Sequence, residues 1–577
     1  MKRASLLFII VLFRAFMKFS TVVFIISFFL VACDSNSNRS ETGFPKEFLF
    51  GTATAAHQVE SNNTNNDWYA WETLGRIRDG HSNLNGPDHW NNYSTDFDFA
   101  QMLGSNAYRF SLEWSKIEPE QDNYDRAVID HYHRMIDDML AKGIQPIVTL
   151  QHFTLPIWIH NPAPDAGNAN EPLLPGWADT SRDPLVVTQL IEFAADMAKE
   201  FGDKVDWWIT LNEPMVFYAN GYLVGDFPPG IGYKNDIPAG NALGFEAGIS
   251  AHPLHEGDSR FGVARGIALG PTILGNMINA HIGMYNAIKV SDQIDADSDG
   301  KSSRISISKH HLTLRAFDSS PETEVALAQV DYFWNQLFWN AILLGEIDAD
   351  LDGEAETDIS STSTFPTVDF LGVNYYTRRD VVQTSLIASL LGLDAADFGF
   401  LKGFPVDTSL SQSINPSLAT LDNAVNRWNC LGWEINPNGL RETVEFYAQH
   451  YPGLDIMITE NGTDNNADRA SFVVDMLSEL EQMIEAGHPI LGYLHWSLMD
   501  NFEWERGYYQ KFGLLEVNFD NVSPASNRSA TEGYFSYQTI IGDRAVSPLL
   551  QESVGTLADP ENTPDNSAAC ALLESGI

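Results

Sequence analysis

One short apolar run that ends in polar side chains decides the fold. Residues 207–214 read Trp207-Trp208-Ile209-Thr210-Leu211-Asn212-Glu213-Pro214. A nearly continuous hydrophobic run of this length is typical of a parallel strand that is covered on both faces. The run predicts a strand over residues 205–211. Other short stretches, several of them nearly continuous hydrophobic runs, predict seven more strands over residues 49–53, 106–110, 144–150, 305–309, 368–374, 455–460 and 490–496.

Amphipathic stretches with helical spacing separate these runs. They cover residues 129–142, 184–201, 322–344 and 470–486. Eight strands alternating with helices predict an α/β fold, a single (β/α)8 TIM barrel with long βα-loop insertions, over residues 44–545. Within this range, residues 381–426 are predicted to form an extended loop near the cleft entrance. Residues 546–577 are predicted to be a C-terminal extension.

The charge balance limits the class of partner. The 577 residues include 77 acidic and 34 basic side chains, which gives a formal net charge of −43. This balance argues against nucleic acid, because binding a phosphate backbone requires concentrated Lys and Arg. Aromatic residues make up 12% of the chain, and 14 of them are Trp. That content suits a small-molecule or oligosaccharide ligand such as a sugar, although a Trp-rich core would give the same composition.

The N-terminus has the pattern of an export signal. Apolar residues 6–13 and 19–32 follow basic side chains, and the second run ends Leu30-Val31-Ala32-Cys33 before a polar stretch. This resembles a bacterial lipoprotein signal peptide over residues 1–33, with lipid on Cys33 and a polar tether over residues 34–43. The protein is then expected to be exported and held at the cell envelope, on the periplasmic or outer face, with the lipid as its membrane contact. The alternatives are an ordinary secretory signal with a chance Cys, and a true start at Met17.

Polar side chains end most of the predicted strands, and two of them are carboxylates. Glu213 ends the fourth strand and Glu460 ends the seventh, in Ile456-Met457-Ile458-Thr459-Glu460-Asn461-Gly462. The carboxyl ends of barrel strands converge on one face, where catalysis takes place. Two carboxylates across a cleft are what glycoside cleavage requires, because one protonates the departing oxygen while the other attacks or stabilises the anomeric carbon. A single buried Glu would more often be a salt-bridged core residue.

Seven ordered motifs resemble glycoside hydrolase family 1, the β-glucosidase and β-galactosidase family of retaining (β/α)8 enzymes. The motifs are Phe48-Leu-Phe-Gly51-Thr-Ala-Thr-Ala-Ala-His-Gln58-Val-Glu60, Tyr108-Arg109-Phe110-Ser111-Leu-Glu-Trp114, Thr149-Leu-Gln-His152, Thr210-Leu-Asn-Glu213-Pro214, Phe370-Leu-Gly-Val-Asn374-Tyr-Tyr376, Ile458-Thr-Glu460-Asn-Gly462 and His495-Trp496-Ser-Leu-Met-Asp-Asn-Phe-Glu503-Trp504. The resemblance covers nearly the whole chain after the N-terminal segment.

The resemblance implies that Glu213 is the general acid/base and Glu460 the nucleophile, with carboxyls about 5–5.5 Å apart in a retaining site. Arg109 and Tyr376 are expected to hold Glu460 ionised. Asn374 is expected to support Tyr376. Since Glu213 has no basic neighbour in the sequence, repulsion from Glu460 is expected to keep it protonated.

The remaining motif residues imply a sugar-binding set that consists of Gln58, His152, Asn212, Trp496, Glu503 and Trp504. The alternative is that they only pack the barrel mouth. A Glu503 carboxylate near the 4- and 6-hydroxyls would repel a 6-phosphate, so the expected substrate is an unphosphorylated β-D-glucoside, with β-galactosides and β-fucosides as alternatives, and no cofactor takes part in catalysis. A transglycosylating enzyme and a non-catalytic sugar-binding relative are further alternatives, although such relatives typically lack one of the two glutamates.

Two acidic loops and two cysteines remain outside this scheme. Both loops read DxDxDG, the first half of a calcium loop, and are either structural calcium sites or solvated turns. Their ligands would be Asp295, Asp297 and Asp299 in the first loop, and Asp348, Asp350 and Asp352 in the second. Cys430 and Cys570 either pair in an exported protein or are free thiols. The sequence does not predict an oligomeric state.

Overall fold

The computed structural model describes residues 43–164, 172–235, 262–360, 365–391, 394–407, 427–519, 527–555 and 557. The predicted signal peptide with Cys33, the tether up to residue 42, Cys570 and most of the C-terminal extension lie outside these residues. The residues from Glu47 onward form one compact unit. Cys430 is disulfide-bonded, and the other two cysteines of the chain lie outside the described residues. In the part of the chain that is described, no helix has the length and hydrophobicity to cross a membrane.

Eight parallel strands form a closed barrel. They are β1 Leu49–Ala53, β2 Ala107–Ser111, β3 Gln145–Gln151, β4 Trp207–Asn212, β5 Arg304–Ala316, β6 Leu371–Gln383, β7 Ile456–Asn461 and β8 Ile490–Trp496. Neighbours in sequence pair in order, and β8 closes the ring by pairing with β1 from Leu49 opposite Gly492 to Ala53 opposite Trp496. The barrel confirms the predicted (β/α)8 fold class.

A helix follows each strand and returns the chain to the next one. In chain order these helices are His89–Leu103, Arg126–Ala141, Leu185–Phe201, Val263–Ser291, Pro321–Asp331 with Leu337–Leu344, Pro437–His450, Arg469–Glu485 and Glu532–Asp543. Shorter helices are Ala56–Val59, Asp67–Thr73, Trp114–Ile117, Pro214–Tyr218, Thr384–Leu391 and Pro548–Val554, and wider π turns cover Ala219–Val224 and Tyr332–Gln336. Short strands outside the barrel are His160–Pro164, Pro172–Pro175, Glu346–Ile347, Thr357–Asp358, Gly403–Asp407, Leu515–Val517 and Arg528–Ala530.

The helix Arg126–Ala141 shows how the sequence specifies these elements. The carboxylate of Asp125 accepts the backbone N–H of Ala127 at 2.8 Å, which satisfies a donor that the first helical turn leaves free. Ile129, Tyr132, Met135, Ile136 and Met139 are buried and recur at helical spacing. This apolar stripe covers the barrel, and the opposite face stays in water.

Strands β5 and β6 are longer than predicted, and the predicted loop over residues 381–426 is wrong in its described part. The two strands pair up to Val381 opposite Ala316, beyond the ends of the neighbouring strands. Residues 379–383 also pair antiparallel with Gly403–Asp407, and the helix Thr384–Leu391 follows. Phe317, Val382 and Ile387 form a small buried cluster against this extension, so regular structure is favoured over an open loop. Residues 408–426 lie outside the described part.

The register of β5, β6 and β7 determines which side chains meet at the top of the barrel. Asn374 on β6 lies opposite Glu460 on β7 and opposite His310 on β5. Gly372 permits the approach of β5 and β6, because a Cβ at that position would lie 2.2 Å from the carbonyl oxygen of Ile307. Residues that lie opposite each other in neighbouring strands leave the sheet on the same side, so the three side chains meet there.

Candidate active site

Glu213 follows β4 in a strained backbone conformation. Its φ is +44°, in the left-handed region that is unfavourable for a residue with a Cβ. Its backbone N–H donates to the carbonyl oxygen of Ser308 on β5 at 2.7 Å. Two residues near other motifs also have a positive φ. Phe153, which directly follows the motif that ends at His152, has a φ of +66°, and Trp504, the last residue of the seventh motif, has a φ of +47°. Strain of this kind tends to concentrate at functional sites, so these three positions support a site at this end of the barrel.

Glu460 is held by two donors from neighbouring strands. Arg109 donates from Nη1 to Glu460 Oε1 at 2.5 Å, and Tyr376 donates its hydroxyl to Oε2 at 2.8 Å. The arginine is itself fixed, since its Nε donates to Thr149 Oγ1 at 3.0 Å and its Nη2 to Asn212 Oδ1 at 2.7 Å. Charge-assisted contacts of this kind favour the ionised carboxylate.

Asn374 contacts Glu213 rather than Tyr376, which corrects the expected support of Tyr376. Its Nδ2 donates to Glu213 Oε1 at 2.8 Å, and its Oδ1 accepts from the hydroxyl of Thr459 at 2.7 Å. Because the threonine occupies the carbonyl side of the amide, the amide NH2 turns towards Glu213. Arg109 and Asn374 also both contact Asn212, so the two glutamates belong to one hydrogen-bonded network.

Burial and charge separate the two carboxyl groups. Glu213 and Glu460 are only 8% and 4% exposed. Burial, followed by the nearby charge of Glu460, raises the pKa of Glu213 to about 8. Burial also raises the pKa of Glu460, but the charge of Arg109 and the donors Arg109 and Tyr376 oppose that rise. The raised pKa of Glu213 favours its protonated form near neutral pH, whereas the contacts of Arg109 and Tyr376 favour the ionised form of Glu460.

A basic side chain near Glu213 was not foreseen. Lys309 on β5 is fully buried, and its charge, like that of Arg109, acts against the raised pKa of Glu213. Burial lowers the pKa of Lys309 itself to about 7, which weakens this opposition near neutral pH. Glu213 has no basic neighbour in the sequence, but the fold brings Lys309 near it, and burial rather than repulsion from Glu460 is the largest cause of its raised pKa.

The six predicted sugar-binding residues form two groups that meet at Trp504. In the first group, Asn212 Nδ2 donates to His152 Nε2 at 3.1 Å. The His152 ring lies 5.9 Å from the Trp496 ring and 6.0 Å from the Trp504 ring, nearly parallel to both. In the second group, the Gln58 amide donates to Glu503 Oε2 at 3.3 Å, and Glu503 directly precedes Trp504. The structure thus gathers all six residues at the carboxyl ends of the strands.

The environment of Glu503 changes one argument from the sequence. Burial, followed by the charge of Glu505, raises the pKa of Glu503 well above its usual range. A carboxyl group that is protonated repels a phosphate much less than a carboxylate does. The exclusion of 6-phosphorylated sugars therefore stays a prediction and loses part of its electrostatic basis.

The part of β5 that lies opposite Asn374 contributes residues for which no role was predicted. Lys309 and His310 lie there, in the middle of the strand, and Trp334 and Trp433 lie close by at half-buried positions. The signal in the sequence was the change from the alternating Ile305-Ser306-Ile307-Ser308 to the basic and polar Lys309-His310-His311. It resembles the polar ends of the other strands.

The two acidic loops differ in structure. In the second loop, carboxylate oxygens of Asp348, Asp350, Asp352 and Glu356 all lie within 4.8 Å of one another. In the first loop, Asp299 forms an ion pair with Arg304 instead of joining Asp295 and Asp297, and Asp206 completes that group. The ion pair with Arg304 therefore removes Asp299 from the predicted first ligand set. The predicted second set is complete and is joined by Glu356.

Comparisons with known proteins identify a family for the chain. The sequence profile of Glycosyl hydrolase family 1 matches residues 40–251 and 272–545. A beta-galactosidase from Pyrococcus woesei is 29% identical, over 89% of this chain and 99% of its own length. A coniferin beta-glucosidase from Pinus contorta is 27% identical, over 84% and 90%. A solved beta-glycosidase from Pyrococcus horikoshii superposes with a TM-score of 0.66 at 25% identity and covers 91% of this chain and 99% of that one.

The profile match covers most of the chain and includes all seven motifs. The relatives match over nearly their full lengths and act on glycosides according to their names. The protein therefore belongs to glycosyl hydrolase family 1 and is an O-glycoside hydrolase.

Proposed function

We propose that the protein is a retaining, exo-acting β-glycosidase that hydrolyses unphosphorylated β-D-glucosides through a covalent glycosyl-enzyme. Glu460 is the nucleophile and Glu213 the general acid/base. One observation carries this assignment: two buried carboxyl groups share one network, in which Arg109 and Tyr376 bind Glu460 and burial keeps the proton on Glu213.

In the first step, a Glu460 oxygen attacks the anomeric carbon while the bond to the leaving group breaks. Glu213 gives its proton to the departing oxygen, so that the leaving group is neutral. The negative charge of Glu460 is thereby consumed in an ester, and Glu213 is left as the carboxylate. In the second step, Glu213 takes a proton from water, the water oxygen attacks the anomeric carbon, and Glu460 leaves as a carboxylate.

The sugar-binding set supports binding of a single glycone beside the two glutamates. Its amide, imidazole and carboxyl groups offer hydrogen bonds to hydroxyls, and Trp496 and Trp504 offer apolar faces. The relatives named above include a β-galactosidase and a β-glucosidase, so both sugars belong in a test panel. Turnover of p-nitrophenyl β-glycosides tests the proposal, and binding without release would favour the non-catalytic alternative. Product analysis with an acceptor sugar measures transglycosylation.

The pKa of Glu213 predicts the alkaline side of the pH profile. Activity on the free enzyme requires Glu213 protonated and Glu460 ionised, so kcat/KM should fall as the pH rises through about 8. The acid side should reflect protonation of Glu460. In Glu213→Gln, assayed with a 2,4-dinitrophenyl glycoside that needs no acid, the alkaline fall should disappear. An unchanged alkaline limb in that variant would assign it to another group.

We also propose that the loop containing Asp348, Asp350, Asp352 and Glu356 holds a structural calcium ion, because hard oxygen ligands at this spacing suit Ca²⁺. The first loop fits less well, since Arg304 already neutralises Asp299. Chelation should lower the melting temperature by a few degrees, and calcium should restore it, because a ligand that binds only the folded state stabilises it. Asp350→Asn should lose this response, whereas Asp297→Asn should keep it. Equal melting temperatures with and without chelator would refute the calcium site.

The N-terminal pattern supports a further proposal, that the protein is exported and anchored by lipid on Cys33. Small residues before the cysteine and polar residues after it carry this proposal. Incorporation of a labelled fatty acid into the full chain, and its loss in Cys33→Ser, would test it.

A further inference from the structure

Two residues of the predicted sugar-binding set, Glu503 and Trp504, lie on one short loop, residues 503–509. The backbone N–H of Glu503 donates to the carbonyl oxygen of Gly507 at 2.6 Å, and the N–H of Gly507 donates to the carbonyl oxygen of Trp504 at 3.1 Å. These bonds close the loop on itself. The position of its two sugar-binding side chains therefore depends on the contacts that hold the loop from outside.

His81, in the segment of residues 78–82, makes such a contact. The backbone N–H of Tyr508 donates to His81 Nδ1 at 3.1 Å, and the Tyr508 hydroxyl donates to the carbonyl oxygen of Ser82 at 2.8 Å. The His81 ring also lies 5.5 Å from the Tyr508 ring and 5.0 Å from the Tyr509 ring. One half-buried imidazole thus contacts the loop 503–509 through both a hydrogen bond and ring packing.

Gly507 permits this close approach. Its φ of +67° and ψ of −127° lie in a region that glycine adopts far more readily than other residues. A Cβ at this position would lie 2.7 Å from the Cβ of His81. The missing side chain therefore lets the backbone come near enough for the N–H of the next residue to reach the imidazole.

The contact fixes the protonation state of the ring. A backbone N–H can only donate, so Nδ1 of His81 is the acceptor, and the neutral ring carries its proton on Nε2. Protonation of Nδ1 would place two hydrogens between the two nitrogens and break the bond to Tyr508. Burial is the largest cause that lowers the pKa of His81; the charge of Asp79 opposes it, whereas those of Lys511 and Arg78 add to it. The bond is therefore intact at neutral pH and is lost as the pH falls through the lowered pKa.

A second route leads from the same segment to Trp504. The hydroxyl of Ser82 donates to Glu72 Oε2 at 2.6 Å, and Glu72 Oε1 lies 3.0 Å from His57 Nε2. The His57 ring is nearly parallel to the Trp504 ring, at an interplanar angle of 5° and a distance of 6.0 Å. The segment 78–82 thus supports Trp504 from two directions, and only the contact through His81 binds the loop backbone.

We propose that His81 is a positioning residue for the loop 503–509: by accepting the Tyr508 N–H, it holds Glu503 and Trp504 in the geometry that binds the glycone. As a consequence, glycone binding weakens at acid pH, where the ring takes up a proton. This inference rests on the proposed β-glycosidase function. His81 itself does not touch the substrate, and the roles of both catalytic glutamates are unchanged.

The test measures glycone binding by the full chain, as KM for p-nitrophenyl β-glucoside and as Kd for glucose. His81→Phe keeps a ring against both tyrosines and leaves the Tyr508 N–H without its acceptor. Both constants should then rise about 10-fold, while kcat changes less than about 2-fold. His81→Asn, whose side-chain oxygen can accept the same N–H, should keep values near those of the wild type. The control is Tyr509→Phe, which loses only the hydroxyl contact with Asp79 and should also keep them.

The pH dependence separates this role from a purely structural one. In the wild type, the Kd for glucose should rise as the pH falls below the usual range of a histidine, because the lowered pKa delays protonation. In His81→Asn this rise should largely disappear, because the amide accepts the bond without titrating. In His81→Phe the Kd should already be high at neutral pH.

An unchanged Kd and KM in His81→Phe would overturn the inference, and so would an acid rise of wild-type size in His81→Asn. If His81→Phe does not fold, the pH dependence of His81→Asn decides alone. A wild-type chain that neither cleaves the glucoside nor binds glucose would instead refute the proposed function, and the inference with it.

Discussion

Replacing Glu460 with alanine is expected to reduce turnover of β-glucosides by about 10⁴-fold or more, since the group that forms the covalent bond is removed. The fold should survive, because the change shortens one side chain at the carboxyl end of β7 and leaves Arg109 bonded to Thr149 and Asn212. Steady-state assays with p-nitrophenyl β-glucoside measure the loss. Glu200→Ala, which removes a surface carboxylate paired with Arg126, is a matched control and should keep wild-type turnover.

Azide should restore part of the activity of Glu460→Ala. The small anion can enter the space of the missing carboxylate and attack the anomeric carbon from the same face, while Glu213 still protonates the leaving group. The product should be the α-glycosyl azide, with inverted configuration. If azide fails to rescue Glu460→Ala, or if it gives the β-glycosyl azide, the role of Glu460 is wrongly assigned.

Replacing Glu213 with alanine is expected to have an effect that depends on the leaving group. For a sugar or alkyl leaving group, the loss should be about 10³-fold, because proton transfer by a placed acid contributes roughly 10²–10⁴-fold. A 2,4-dinitrophenolate departs without a proton, so the first step with that substrate should be almost unaffected. The second step should then be slow, because no base activates water, and the glycosyl-enzyme should accumulate as a burst.

The same variant provides a test of stereochemistry. Azide needs no base, so it should attack the accumulated glycosyl-enzyme and give the β-glycosyl azide, the opposite anomer from that expected with Glu460→Ala. A loss of equal size for acidic and basic leaving groups would contradict the role of Glu213, because it would show that the residue supports the structure rather than transferring a proton.

The barrel was predictable because its strands are buried on both faces and its helices on one. All eight predicted strands are present, with starts that differ by at most a few residues. The extension of β5 and β6 was not predictable from hydrophobicity, because charged side chains interrupt it. Arg315 pairs with Asp380 and Arg378 pairs with Glu434, and these partly buried ion pairs break the apolar run on which strand prediction depends.

The candidate site was predictable to the extent that barrel geometry brings strand ends together. Glu213, Glu460, Arg109 and Tyr376 lie in the expected region for that reason. The contact of Asn374 with Glu213, and the position of His310 opposite Asn374, depend on lateral register between strands. The register of β6 shifts against β7 between Val373 and Asn374, and against β5 between Tyr375 and Arg378, and no sequence pattern reveals either shift.

The proposed mechanism requires a covalent bond between the sugar and Glu460. A 2-deoxy-2-fluoro-β-glucoside with an activated leaving group tests it, because fluorine destabilises the cationic transition states of both steps while the leaving group still lets the first one proceed. After digestion and mass spectrometry, we expect one glycosyl label, on the peptide that contains Glu460. A label on the peptide that contains Glu213, or turnover that releases the α-anomer with no label on either peptide, would contradict the account.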